Sequence, residues 1–155
     1  ALYLLDAQLE LRSATGCRTV AIDAFILGPR RTMLQTAEII SRIILPPATD
    51  WNLQLFEKVG RRKSLAIAVA SLAATVRLAS DGTVAEARFA WGSVGPTVLR
   101  CAEAEQALVG KPLTEESLNA AALLAQQAVQ PIDDIRATAH YRRSVAGNLL
   151  LRLVA

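Results

Sequence analysis

The chain has 155 residues, of which 52% are hydrophobic and only 5% aromatic, which is enough for one domain, or for one small domain with part of another. Its net charge of +3 is too small to indicate nucleic-acid binding, and basic residues interleaved with aromatic ones are absent. Cys17 and Cys101 form no C-x-x-C pair, so the sequence predicts no metal site. No apolar run reaches the roughly 18 residues of a membrane-spanning helix, and we expect a soluble, cytoplasmic protein.

The first third of the sequence is rich in strand patterns. Residues 7–12 and 17–22 alternate apolar and polar side chains, and the Ser-Ala-Thr-Gly stretch between them is typical of a turn, so we expect a β-hairpin. Residues 24–27 have the length of one short turn. Residues 38–45 predict a further strand, which ends at Pro46-Pro47 because proline supplies no backbone donor.

The stretch from Pro46 to Asn52 separates two differently patterned parts of the chain. A proline pair followed by small and polar residues is typical of a linker. We therefore place a domain boundary here, with residues 1–47 in one domain and residues 48–155 in the next.

The middle of the chain predicts two long antiparallel strands. Residues 65–78 contain many alanines, which favour a helix, but also β-branched residues, which favour a strand. Asp81-Gly82 decides between the two, because Asp-Gly between alternating runs is typical of a tight hairpin turn. We therefore predict strands over residues 65–78 and 84–89.

Helical patterns begin after Pro96. Residues 101–108 predict a short helix that ends before Gly110. Thr114 is the expected N-cap of a longer helix, because the two glutamates that follow it complement the positive end of the helix dipole.

A last helix is predicted over residues 138–154, with Tyr141, Val145 and Leu149 on one stripe. The pair Asp133-Asp134 is typical of a helix start rather than of an acid–base pair. Together the elements predict an α+β fold, in which a small antiparallel sheet packs against helices on one face and follows the strand-rich end of another domain.

A run of four cations stands in the middle of the chain. Lys58, Arg61, Arg62 and Lys63 surround Gly60, directly before a run of small apolar residues. A charge run is usually a solvated face. The apolar run that follows must be buried, however, so some of these cations are held close to the packed body, where they can meet an anionic ligand.

Four strings in the sequence resemble one protein family. They are FILGPRRTML followed by EII (25–40), FEKVGRRKSLAIA (56–68), GSVGPT followed by an arginine (92–100), and DIRATA followed by YRR (134–143). In this order they resemble the carboxy-terminal part of the FAD-binding (medium) subunit of molybdenum hydroxylases, which include xanthine dehydrogenase and carbon monoxide dehydrogenase. The sequence departs from the family at Pro29, where an aromatic residue is common, and at Thr36, where proline is common.

The resemblance implies a domain assignment, a cofactor and partners. Residues 1–47 would be the carboxy-terminal remnant of the FAD-binding domain, and residues 48–155 the carbon monoxide dehydrogenase flavoprotein-type carboxy-terminal domain. The cofactor would be FAD, with molybdopterin on a large partner subunit and iron–sulfur clusters on a small one. Electrons would pass from the clusters through FAD to NAD or another acceptor.

The family's two glycine-containing loops, which clamp the FAD diphosphate, do not occur in this sequence. We therefore expect a truncated fragment that binds FAD poorly and is inactive alone. A face left uncovered by the missing half is expected to form a homodimer.

The resemblance assigns positions near the cofactor but no catalytic residue and no metal ligand. Ile40 matches a residue that packs on FAD, and Lys58 falls near a position where a basic residue approaches the flavin. Glu57 is the alternative if the alignment slips by one residue. Ser64 lies in a loop that would lie against the ring. The competing interpretation is an ordinary strand residue for Ile40 and an ordinary surface lysine for Lys58.

A second function class stays open. The sequence has a single histidine, His140. Its serines lack a plausible general-base partner, and none stands in a glycine-flanked nucleophile turn, so an independent hydrolase is disfavoured. A non-catalytic subunit-interaction module that keeps the fold without binding FAD is therefore the alternative to the flavin subunit.

Overall fold

The computed structural model describes residues 1–47, 50–62 and 65–154. The chain divides into two compact units, Ala1–Thr49 and Asp50–Ala155. Each has its own sheet and its own buried side chains. The α+β fold class predicted from the sequence is confirmed.

The first unit contains a three-stranded antiparallel sheet with the strand order β2-β1-β5. The predicted hairpin is confirmed: β1 (Gln8–Ser13) pairs along its full length with β2 (Gly16–Ala21). A short helix α1 (Ile22–Phe25) begins two residues before the turn expected over 24–27, and the end of that expected turn lies in β3 (Ile26–Gly28), which forms a small hairpin with β4 (Arg31–Thr32). The predicted strand before the proline pair is β5 (Ile39–Ile44), which pairs with β1.

The second unit is built on a three-stranded antiparallel sheet with the order β6-β7-β8. The strands β7 (Ala68–Leu78) and β8 (Val84–Gly92) form the predicted hairpin. The first residues of the predicted 65–78 strand precede β7. Asp81 accepts hydrogen bonds from the backbone N–H and hydroxyl of Thr83, and Gly82 has a φ of 84°, a value that glycine adopts without the cost of a Cβ.

The strand β6 (Leu53–Gly60) was not predicted from the sequence. The run of cations begins inside a strand, because β6 continues to Gly60 and pairs with β7. Lys58 is therefore a strand residue. The connection to β7 begins only after Gly60.

The core of the second unit lies between one face of this sheet and the helices. These are α2 (Ala102–Gln106), α3 (Glu115–Ala128) and α4 (Ala139–Asn148). Phe89 and Trp91 on β8 are fully buried and meet edge to face, with their ring centroids 5.7 Å apart. The Trp91 indole donates to the carbonyl of Ala146 on α4 at 2.9 Å, which joins the sheet to the carboxy-terminal helix.

The predicted N-cap of α3 is confirmed. The Thr114 hydroxyl accepts from the Ser117 amide at 3.3 Å, and the Ser117 hydroxyl lies 3.0 Å from the Thr114 amide. This reciprocal capping box satisfies two amides that the first turn of a helix leaves without a partner.

The end of the chain differs from its prediction. The single helix expected over 138–154 is α4 followed by a 3₁₀ helix, Leu149–Leu153. Of the expected apolar stripe, Leu149 is buried and Val145 packs against the core, but Tyr141 is 50% exposed and its neighbour Arg142 is buried instead. The Arg142 guanidinium donates to the carbonyls of Val69 and Ser93 and to the Asp134 carboxylate, which offsets part of the cost of burying the charge, while its Nε has no hydrogen-bond partner among the described residues.

Candidate functional site

Ile40 lies on the partly apolar face of the sheet in the first unit. It is opposite Leu11, and Ile43 is opposite Leu9, so these side chains share one face. Leu9 and Leu11 are buried, while Ile40 is 47% exposed because β5 is an edge strand. This face therefore leaves the aliphatic side chain of Ile40 accessible beside the buried Leu9 and Leu11.

A β-bulge determines which face Ile40 occupies. Glu10 is opposite Arg42 and Leu11 is opposite Ile40, so Ser41 is the extra residue on β5. The Ser41 hydroxyl donates to the Glu10 carbonyl at 3.1 Å and to its carboxylate at 2.6 Å. These bonds hold the bulge, and the Ser41 hydroxyl, assisted by the charges of nearby arginines, lowers the pKa of the Glu10 carboxyl below its ordinary value.

Lys58 and Glu57 are neighbours on β6 but point to opposite faces of their sheet. Glu57 is opposite Leu72 on the side of the packed core, and its carboxylate lies 4.0 Å from Nε of Arg152. Lys58 is exposed on the other face, opposite Ser71. The two alternatives for the basic position are thus spatially distinct, and only Lys58 stands on the solvent side.

Short side chains surround Lys58 on its face of the sheet. Ser71 is opposite Gly92 on the next strand, and a Cβ added to Gly92 would lie 2.6 Å from the Ser71 hydroxyl oxygen. Phe56, two residues before Lys58, is 65% exposed. Near Lys58 this face therefore presents the Phe56 ring and the Lys58 ammonium group beside the small residues Ser71 and Gly92.

Ser64, the remaining predicted site residue, lies outside the described residues. The flanking residues form a depression of about 400 Å³ lined by Arg61, Arg62, Ala66, Ile67 and Arg136. The run of cations and the DIRATA string, which are far apart in the sequence, thus line the same depression.

Arg142 and Asp134 form a polar cluster that sequence reasoning missed. The buried Arg142 guanidinium donates to the carbonyls of Val69 at 2.7 Å and Ser93 at 3.1 Å, and to the Asp134 carboxylate at 2.6 Å. The Asp134 carboxylate also accepts from the amides of Arg136 and Ala137. The one sequence signal was that an aspartate and an arginine stand eight residues apart within one family string.

These bonds correct the assignment of Asp133-Asp134 as a helix-start pair. Asp133 accepts from the amide of Ala139, the first residue of α4, so it does act at the helix start. Asp134 instead closes the loop before it. The Arg136 amide, with the Arg142 guanidinium and the Ala137 amide, holds the pKa of Asp134 well below its usual range.

The side chains of the site can bind and orient a ligand, but they form no constellation for chemistry of their own. Within 1–47, 50–62 and 65–154, no three His, Cys, Asp or Glu side chains are grouped as metal ligands. No helix in those ranges combines the length and apolarity that crossing a membrane requires.

Two family models match consecutive parts of the chain. Residues 55–155 match the CO dehydrogenase flavoprotein C-terminal domain. Residues 1–48 match the FAD binding domain in molybdopterin dehydrogenase.

Curated proteins are similar to this sequence over nearly the whole chain. The carbon monoxide dehydrogenase medium chain of Hydrogenophaga pseudoflava is 34% identical over 96% of the chain and 51% of its own length. The xanthine dehydrogenase FAD-binding subunit of Escherichia coli O157:H7 is 30% identical over 98% of the chain and 52% of its own length. The chain therefore spans about half the length of the curated relatives it matches.

Solved structures give the same result. A chain of carbon monoxide dehydrogenase from Hydrogenophaga pseudoflava, lacking the Mo-pyranopterin moiety, superposes with a TM-score of 0.89 at 34% identity, over 98% of this chain and 52% of that one. A chain of quinoline 2-oxidoreductase from Pseudomonas putida 86 gives 0.89 at 30% identity, over 99% and 52%. The chain belongs to the CO dehydrogenase flavoprotein C-terminal domain family.

Proposed function

We propose that this chain is part of the FAD-binding subunit of a molybdenum hydroxylase of the xanthine dehydrogenase or carbon monoxide dehydrogenase type. The observation that carries the proposal is that the two family models match in succession, over residues 1–48 and 55–155. When bound, the flavin would accept electrons from iron–sulfur clusters and pass them to NAD or another acceptor.

The accessible aliphatic surface at Ile40 fits an apolar, planar group such as the flavin ring. The side chain is 47% exposed, and buried Leu11 beside it holds the strand in place. Covering an aliphatic surface of this kind contributes about 25 cal/mol per Å² of apolar area removed from water. Ile40 would thus bind and orient the ring rather than take part in chemistry.

Lys58 fits the role of a cation near the flavin. It stands on the exposed face of β6, next to Ser71, where its ammonium group is free of the packed core. A positive charge about 4 Å from developing negative charge stabilises it by roughly 1–4 kcal/mol, depending on how much water remains between them. Glu57, on the opposite face, would keep its place near Arg152 instead.

The proposed partners are a molybdopterin-bearing large subunit and an iron–sulfur small subunit, in a cytoplasmic complex. The chain is also proposed to form a homodimer when it is alone. Unpaired aliphatic side chains favour this, since Ile39 and Ile43 on β5 are 64% and 54% exposed. The same proposal places residues 1–47 in the FAD-binding domain and residues 48–155 in the domain that follows it.

Flavin fluorescence quenching tests the proposal. The 155-residue chain is titrated with FAD, with and without a polypeptide that supplies the amino-terminal half of a relative. We expect tight binding only with both halves. Ile40→Thr is expected to weaken it about tenfold, whereas Ile44→Thr, opposite Gln8 and therefore on the other face, leaves it unchanged.

Lys58→Gln provides the second test, with Lys111→Gln as the control at another exposed lysine. We expect Lys58→Gln to lower the reduction potential of the bound flavin, because the cation favours the more negative reduced form. An unchanged potential would remove Lys58 from the site. Absence of FAD binding by a folded chain with both halves present would refute the proposal as a whole.

The alternative is a subunit-interaction module without FAD. Exposed aliphatic residues in the second unit favour it: Leu65, Ile67 and Ile135 are 91%, 63% and 90% exposed. Surfaces of this kind are typical of protein contacts. Under this alternative the chain joins its partner subunits in the absence of flavin, and FAD does not change its affinity for them.

A further inference from the structure

The depression beside the carboxy-terminal end of β6 has the composition of an anion site. Three guanidinium groups, from Arg61, Arg62 and Arg136, line its volume of about 400 Å³ together with Ala66 and Ile67. We propose that it binds the diphosphate group of a nucleotide-sized ligand. The proposal lies wholly within Asp50–Ala155 and does not depend on flavin binding.

Arg61 joins the two sides of the depression. Its Nη1 donates to the carbonyl of Ile135 at 3.1 Å, although the two residues are 74 positions apart. The bond brings the end of β6 to the loop that carries Arg136. An arginine has five N–H donors, so one bond to a carbonyl leaves the guanidinium able to bind a ligand.

Arg136 is positioned by a built network rather than by chance. Its Nη1 lies 3.0 Å from the Asp134 carboxylate, and its backbone amide donates to the same carboxylate at 2.8 Å. Asp134 is held in turn by the buried guanidinium of Arg142. Since Arg142 supplies one positive charge and Asp134 one negative charge, the three lining arginines keep an excess of positive charge.

Gly60 allows the other wall to approach. A Cβ at Gly60 would lie 2.5 Å from Cβ of Ala66 and 3.3 Å from the carbonyl oxygen of Ile67. Only glycine permits the connection after β6 to return so closely to the strand. The wall formed by Ala66 and Ile67 is therefore built into the backbone.

The shape and chemistry of the depression favour a phosphorylated small molecule. Guanidinium groups match phosphate oxygens with two parallel hydrogen bonds, which makes arginine suited to this recognition. A volume near 400 Å³ is typical of small-molecule sites. The apolar surface of Ala66 and Ile67 can contact a ring attached to the phosphates, whereas an acidic peptide would supply carboxylates but no such ring.

Isothermal titration of the 155-residue chain with ADP, inorganic diphosphate and adenosine tests the proposal. We expect ADP and diphosphate to bind, adenosine alone not to bind, and affinity to fall as salt rises. ADP binding more tightly than diphosphate would identify a nucleotide as the source of the phosphates. Equal binding would identify diphosphate itself as the ligand.

The variants Arg61→Gln, Arg62→Gln and Arg136→Gln are each expected to weaken ADP binding about tenfold or more, because each removes a charge-assisted contact. Arg143→Gln, at an exposed arginine of α4, is the matched control and should bind as the parent chain does. Far-UV circular dichroism checks that every variant is folded. The proposal is overturned if neither phosphate ligand binds at low salt, if the control loses as much affinity as the others, or if oligoglutamate binds as tightly as ADP.

Discussion

Arg142 shows how one side chain can join separate segments of a fold. Its guanidinium contacts β7 through Val69, the turn after β8 through Ser93, and the loop before α4 through Asp134. Ser93 has a φ of 64°, so its carbonyl is presented by backbone that a non-glycine residue rarely adopts. Local sequence does not predict these partners, because two of the three, Val69 and Ser93, lie on segments distant in the chain.

Replacing Arg142 by alanine is expected to destabilise the protein by about 3 kcal/mol or more. The carbonyls of Val69 and Ser93 would lose this donor and the Asp134 carboxylate one of its partners, and losing a donor to a buried group costs more than the bond contributes. Urea unfolding followed by the fluorescence of buried Trp91 measures the change.

Arg143→Ala is the control, since Arg143 is exposed on the same helix; its expected change is below about 0.5 kcal/mol. Equal losses in the two variants would show that the three contacts of Arg142 contribute no stability.

At the scale of elements, turn and cap chemistry were predictable but strand β6 was not. Asp81-Gly82 and Thr114 act through bonds to their own neighbours, so local sequence is sufficient. In β6, the exposed face carries Phe56 and the core-facing side carries Glu57. An exposed aromatic residue and a core-facing carboxylate are the reverse of the usual strand pattern. Arg152 lies near the Glu57 carboxylate, and backbone pairing with β7 stabilises the strand.

The bulge that positions Ile40 was equally invisible in the sequence. Simple alternation along β5 would place Ile40 and Ile43 on opposite faces, but the extra residue Ser41 brings both to the face of Leu9 and Leu11. The position of Ile40 in the chain could therefore be assigned from the family strings. Its neighbours and its exposure required the register of the sheet.

Gly147 on α4 lies close to the Gln126 side chain on α3. A Cβ at Gly147 would clash with Nε2 of Gln126 and lie 2.8 Å from its Cγ. We expect Gly147→Ala to destabilise the protein by about 1 kcal/mol, because overpacking costs about 1–3 kcal/mol and alanine returns up to about 1 kcal/mol in helix propensity. Chemical unfolding of Gly147→Ala measures the change in the free energy of unfolding.

Gln126→Ala in the same molecule should remove the clash, so that the double variant is more stable than Gly147→Ala alone. The exposed neighbour Gln127→Ala provides the control and should give no such rescue. Rescue by both, or by neither, would contradict a direct contact between Gly147 and Gln126.

At the scale of the molecule, the two units differ in how well they bury their apolar residues. The second unit holds one continuous core that includes Leu72, Phe89, Trp91, Leu118 and Leu150. The first unit is shorter and leaves much of its aliphatic surface accessible, with large side chains exposed as follows: Leu27, Met33, Leu34, Ile39, Ile40, Ile43, Ile44 and Leu45. Short units with small cores are marginally stable on their own.

A polypeptide of residues 50–155 is therefore expected to fold alone, and one of residues 1–49 is not. In the longer piece, the buried Trp91 indole with its bond to the Ala146 carbonyl should give a structured near-ultraviolet circular dichroism signal that is lost in one cooperative urea transition. In the shorter piece, the far-ultraviolet spectrum should be that of a disordered chain. A gradual, non-cooperative transition in residues 50–155 would mean that their core needs residues 1–49, while a stable sheet in residues 1–49 would mean that the Leu9 and Leu11 face is sufficient without further burial.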